Sequence, residues 1–188
     1  MAHATIKETS SPDRTLVVTT ADLREFLRVD TTADDDLIEA LREVACSWVE
    51  DHCNTKLPQV DYYAYLDSFY AYRLPVGPVT ITAVDYKATN YSGTWSSLAS
   101  AKYFVDTDST KARIKFDNPP DLHDEEYHRV RITGKFGYKP VDIPGPLKQA
   151  VRILVSHFYD NRTAVTIGAT PREVPFTVLA LCNPHRVE

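Results

Sequence analysis

The densest run of potential ligands is "DLHDEEYH", which holds Asp121, His123, Asp124, Glu125, Glu126 and His128. Imidazoles and carboxylates in one run could hold a divalent cation and activate a water molecule. The pattern falls short of that chemistry. Structural zinc sites use cysteines or spaced histidine pairs, and this run has neither HExxH nor a cysteine partner. It follows "DNPP" and precedes an apolar alternation, so it reads as a solvated loop. A small metal-dependent enzyme built on His123, Asp124 and His128 is the alternative that the run supports.

Other chemistry is thinner. Asp34, Asp35 and Asp36 are consecutive, and consecutive helical residues point in different directions. They read as first-turn carboxylates that meet the positive end of a helix dipole. His157 stands beside Phe158 and Tyr159 on a helix and reads as a packed or capping histidine. His52 lies near a helix C-terminus, where a partly charged imidazole is favoured. GxSxG, a P-loop and GxGxxG are all missing, and only six glycines are present. Lys135 in "GKFGY" is one basic residue, too little for a nucleic-acid site. Cys46 and Cys53 fall about 10 Å apart on a helix, beyond disulfide reach. With Cys182 they read as small buried apolar residues in a reducing compartment. The sequence assigns no catalytic residue, no metal ligand and no cofactor.

The eleven tyrosines carry a different signal. In "DYYAYLDSFYAYR" a regular strand puts Tyr63 and Tyr65 on one side, with Tyr62 and Ala64 on the other. Tyrosine suits strands, and it suits interfaces because it buries area while keeping a polar tip. With no enzyme signature beside them, these residues point to a surface that meets other chains.

The whole chain must supply the frame. Its 188 residues suffice for one domain with a real core, or one domain with an insertion. The apolar fraction is 43% and the charged fraction 25%, which is ordinary for a globular protein. A net charge of -5 argues against a sequence-independent DNA binder, which needs an excess of Lys and Arg. No apolar run reaches the roughly 18 residues of a membrane span. The start "MAHATIKETSSPDRT" lacks the apolar stretch of a secretory signal and reads as a flexible leader.

The elements follow from periodicity. "TTADLREFLRVD" predicts a helix over 20–28, capped by Thr20, with Leu23, Phe26 and Leu27 on one face. A second helix over 34–54 carries a stripe of Leu37, Ile38, Leu41, Val44, Ala45, Trp48 and Val49. Thr31 or Thr32 caps it and Asn54 ends it. Residues from about 60 to 138 are Tyr-rich and β-branched, and predict short antiparallel strands in a small sheet or sandwich. A phase shift near Ala83 predicts a bulge. "NYSGTWSSL" reads as a hairpin tip, and 106–110 as a turn. A helix over 145–161 begins at Pro144 or Pro146 and presents Leu147, Ala150, Val151, Leu154, Val155 and Phe158 to the second helix. The predicted class is α+β: a helical bundle core of two long helices plus short terminal helices, with an inserted antiparallel β-sheet or sandwich.

In that order the segments resemble the head-to-tail connector (adaptor) proteins of long-tailed bacteriophages, prophages and gene transfer agents. The residues that carry the resemblance are "ADLREFLRVDTTADDDLIEALREVACSWVEDHCNTKL", "LPVGPVTITAVDY", "IPGPLKQAVRILVSHFYDNR" and "VPFTVLALCNPHRV". The last departs from the commonest form at Asn183 and His185. The match runs from about Thr19 to the end, and is weakest between Ala88 and Asp124.

The resemblance implies a structural, non-enzymatic virion protein. About twelve copies would form a ring between the portal and a downstream neck (stopper) or tail protein. DNA would pass through the middle without sequence-specific binding, no membrane would be involved, and assembly would occur in the host cytoplasm. Another neck or tail-completion role is the neighbouring possibility. The implied organisation is a leader over 1–18, a connector domain over 19–162, and a tether with a docking arm over 163–188. In the apolar "VPFTVLALCNPHRV", Phe176, Val178, Leu179 and Leu181 are the expected contacts to the portal or a neighbouring subunit, with Arg186 adding a charged one. The other fate open to this segment is a last helix on its own core, with Pro175 at its first turn.

Overall fold

The computed structural model describes residues 4–74, 77–90, 92–107, 112–124, 127–161 and 175–187. Within them the chain is α+β, with four α-helices and two small antiparallel sheets. It divides into two compact units. One comprises Met1–Pro12, Gln59–Gly137 and Val187–Glu188, and the other Asp13–Pro58 and Tyr138–Arg186.

The helical unit holds α1 (Thr20–Leu27), α2 (Asp35–Cys53), α3 (Gly145–Asp160) and α4 (Phe176–Cys182). Helix α1 is capped by Thr19 rather than Thr20. Thr19 Oγ1 accepts from the Asp22 amide at 3.1 Å, and Asp22 Oδ2 accepts from the Thr19 amide at 3.3 Å. This capping box satisfies two amides that a helix start otherwise leaves bare. The hydrogen bonds from Thr19 hold the Asp22 carboxyl below its ordinary 3.8. Helix α2 takes Asp34 as its N-cap, not Thr31 or Thr32. The Thr32 carbonyl is what meets the helix start, accepting from the Asp35 amide at 3.2 Å. The aspartates beside it are used locally: Tyr159 donates to Asp34, and Arg24 pairs with Asp35 at 3.3 Å. Asn54 closes α2 in the left-handed region at φ 54°, which asparagine tolerates better than most residues.

The apolar stripes of these helices make one core. Ile38, Ala45, Cys46, Val49 and Cys53 of α2 join Leu147, Ala150, Val151, Leu154 and Val155 of α3, with Leu23 of α1 and Val178 and Cys182 of α4. Each fully buried Leu or Ile is worth about 1.5–3 kcal/mol relative to exposure. Charged side chains are buried among these elements too, Arg42 at 4% exposure and Glu50. Glu50 is 2% exposed, and its carboxylate accepts from Arg14 at 2.9 Å and from the Leu57 amide at 2.9 Å, with Lys56 at 3.5 Å. A buried carboxylate is tolerable only with such partners. Burial works against the charge on Arg14, but the hydrogen bonds it donates to Glu50 and Glu43 leave its pKa raised.

The sheet unit holds β1 (Thr5–Glu8), β2 (Val60–Leu66), β3 (Tyr72–Arg73), β4 (Val79–Tyr86), β5 (Ser96–Ser97), β6 (Tyr103–Asp106), β7 (Arg113–Phe116) and β8 (Val130–Phe136). The five-stranded sheet runs β1-β2-β8-β4-β5, and the three-stranded sheet β3-β7-β6. Alternation is strict in β2, where Val60, Tyr62, Ala64 and Leu66 face the core. Tyr62 meets Phe136 edge-on at 4.9 Å. The β4–β8 register shifts between Ile81 and Ala83, which is the bulge that the broken phase predicts. Gly134 lies in β8 where a Cβ would come 2.3 Å from the Thr80 carbonyl oxygen. Only glycine permits that approach.

Strand β1 lies in the stretch read as a leader. Its four residues, "TIKE", are too few to show a period, yet they pair with Tyr62–Tyr65 of β2. Residues 108–110 of the predicted turn, Tyr91 of the hairpin tip, and 162–174, which hold nearly all of the predicted tether, lie outside the described residues.

Candidate functional site

The C-terminal segment folds as a short helix in the helical unit. Pro175 precedes α4 with φ -55°, set by its ring. Val178 and Cys182 face inward and are fully buried. Leu179 and Leu181 are half-buried, Phe176 is 82% exposed, and Arg186 is exposed. The five sequence-predicted docking residues therefore divide: Val178 fills this chain's own core, while Phe176 and Arg186 present themselves outward.

The end of α4 is fastened to the end of α2. Trp48 and His52 are stacked, with centroids 5.1 Å apart and planes 4° from parallel. That stacking orients the imidazole, and His52 Nε2 lies 3.0 Å from Asn183 Oδ1. Cys53 Sγ donates to the Cys182 carbonyl at 3.6 Å. Its hydrogen bonding to Cys182 and its burial both push the Cys53 thiol pKa up. All three cysteines are free and buried, and burial raises the Cys46 thiol to about 12. The hydrogen bond with Cys53 lowers the Cys182 thiol, but all three are buried and none has the exposure that a nucleophilic thiol needs.

The 121–128 run is used by backbone geometry. The His123 amide donates to the Lys87 carbonyl at 3.0 Å, and Ala88 and Leu122 form a β-bridge. The His128 amide donates to Asp67 Oδ1 at 2.8 Å, and the His128 ring lies on Tyr65 at 5.1 Å. Arg129 ties the ends together through the Asp67 and His123 carbonyls, at 2.7 Å and 3.2 Å. Glu125 and Glu126 lie outside the described residues. Among the described residues no three His, Cys, Asp or Glu side chains are grouped to hold a metal ion.

Sequence reasoning missed two constellations. Arg131 sits over Tyr63 at 4.9 Å and over Trp95 at 4.6 Å, and its guanidinium donates to Asp85 at 2.8 Å. The alternation in "VRITGKF" marks Arg131 as outward-facing, but the partners come from 35 or more positions away. The Arg14–Glu50–Lys56 group likewise joins residues that no local period connects.

The model of the head completion protein family matches residues 16–186. The chain belongs to that family. No curated protein matches it significantly in sequence. In fold, this head completion protein family member is similar to a chain in the neck of an empty gene transfer agent particle, with 23% identity, 98% of this chain and 96% of that chain covered, and a TM-score of 0.76. It is equally similar to a chain in the neck of the native particle computed with twelvefold symmetry, at 21% identity, 98% and 96% coverage, and a TM-score of 0.76. A chain of the native virion gives 21% identity, 97% and 95% coverage, and a TM-score of 0.75. Among the described residues, no helix of this family member is long and apolar enough to cross a membrane.

Proposed function

We propose that this protein is a non-enzymatic head-to-tail connector, repeated as a ring of about twelve copies between the portal and the next neck or tail protein. The observation that carries this reading is a family match spanning residues 16–186 together with near-complete coverage of neck chains. The sixfold and twelvefold symmetry of the particles holding those chains supports a ring. The net charge of -5 suits a wall that DNA slides past, since a cationic lining would grip phosphates. We place it in the virion neck, after assembly in the host cytoplasm.

Residues 163–188 act in this reading as tether and docking arm. Phe176, Leu179 and Arg186 supply the outward contacts, to the portal or a neighbouring subunit, while Val178 and Leu181 hold the helix that displays them. The longer helices α2 and α3, with α1 and α4, serve as the bundle core of the connector domain over 19–162.

Particles assembled without this chain test the role. Filled heads and tails that fail to join are the expected outcome. Joined particles at undiminished yield overturn the reading.

A further inference from the structure

The outer face of the five-stranded sheet carries a preorganised aromatic and cationic surface. Tyr63 and Tyr65 meet edge-on at 6.1 Å, and Trp95 lies 6.4 Å from Tyr65. The Arg131 guanidinium is held by Tyr63, Trp95 and Asp85 together, and Lys87 sits 5.5 Å over the Trp95 ring. None of these side chains belongs to the apolar core, which takes the opposite face of the sheet through Tyr62, Ala64 and Ile132. Tyr63, Tyr65, Trp95 and Arg131 are half-buried rather than covered. Such a locked cluster of Trp, Tyr and Arg is what interface hot spots are made of, because little conformational freedom is left to lose on binding.

Charge decides the occupant. The register puts Lys7, Arg131 and Lys135 on this face with Asp61 and Asp85, and Lys87 joins them through Trp95. Four cations against two carboxylates make the face positive, within a chain of net charge -5. The same unit exposes carboxylates in its loops, at Asp117, Asp121 and Asp124. The cationic face and the acidic loops of one unit are therefore complementary to each other. One copy can offer its loops to the face of the next, a head-to-tail contact that closes into a ring. A nucleic acid fits less well. The rings are engaged with one another rather than splayed for bases.

We infer that the outer face of the five-stranded sheet, centred on Tyr63, Tyr65, Trp95 and Arg131, docks the acidic loops of a second copy of this chain. This rests on the connector reading and adds the surface through which the copies meet.

A photoactivatable diazirine residue at Ser97, and separately at Thr80, tests it in assembled particles. Both positions are exposed, and the strand pairing puts both on this face, Ser97 opposite Asp85 and Thr80 opposite Lys135. The expected product is a cross-linked pair of copies of this chain, reduced about tenfold when Trp95→Ala removes an anchor. Cross-links only to another protein or to DNA, or none in particles that contain the chain, overturn the inference and leave the connector reading standing. Absence of the chain from the particle neck removes both.

Discussion

His52 on α2 and Asn183 just beyond α4 stand 3.0 Å apart, although 131 positions separate them. With the Cys53–Cys182 hydrogen bond beside it, this contact makes α4 part of the helical unit. The C-terminal segment is then a displayed helix with an inner and an outer side, and the two sides answer to different forces.

The two sides predict opposite behaviour. Phe176→Asp changes a residue that is 82% exposed, so thermal stability should move within about 0.5 kcal/mol, while capture of purified portal protein falls. Leu179→Asp should reduce capture as well. Val178→Asp places a carboxylate in the core and should lower the denaturation midpoint strongly. Wild-type portal capture by both Phe176→Asp and Leu179→Asp would refute the docking role.

Glu50→Ala leaves the Arg14 guanidinium, itself 11% exposed, without its buried partner. Breaking a buried pair from one side costs about 3–5 kcal/mol. Glu50→Gln keeps an acceptor for the Leu57 amide and should lose less. Urea denaturation measures both. Equal stability of Glu50→Ala and wild type would contradict the assignment.

Gly134→Ala puts a methyl 2.3 Å from the Thr80 carbonyl oxygen, which is backbone and cannot swing aside. The β4–β8 pair must part, at a cost of about 1–3 kcal/mol or more. Circular dichroism during thermal unfolding should show the lowered midpoint.

Alkali should destabilise the protein. Burial raises the Cys46 thiol from 9.0 to about 12, and raises the Tyr62 phenol from 10.0. Above pH 9 the unfolded chain releases protons that the folded chain keeps, so stability falls as pH rises from about 9 toward 12. Asp22 works at the other end. Its depressed pKa gives stability that is present above 3.8 and lost as pH falls below it. Denaturation midpoints across pH check both directions, and Cys46→Ala should soften the alkaline loss.

Local rules made much of this fold readable. The stripes from Ile38 to Val49 and from Leu147 to Val155 mark their helices because burial on one face imposes a period near 3.6. The broken phase near Ala83 marks the bulge for the matching reason in a strand. The Thr19 cap was one residue away from the obvious choice, because two threonines adjoin and only Asp22 decides between them. Strand β1 is not legible locally, because "TIKE" is too short to carry a period and its pairing partner, Tyr62–Tyr65, lies far along the chain. The same holds for the site. The apolar composition of Phe176–Leu181 drew attention to the segment, but only the placement of Val178 and Cys182 tells its inner side from its outer. Arg131, Trp95 and Tyr63 come together solely through strand pairing, which no single stretch of sequence spells out.

Cryo-electron microscopy of the particle neck tests the central claim most directly. The account predicts this chain as a closed ring beneath the portal, with α4 or its flank against the portal or a neighbouring copy. Particles that lack the chain, or hold it as isolated copies away from the neck, would contradict it.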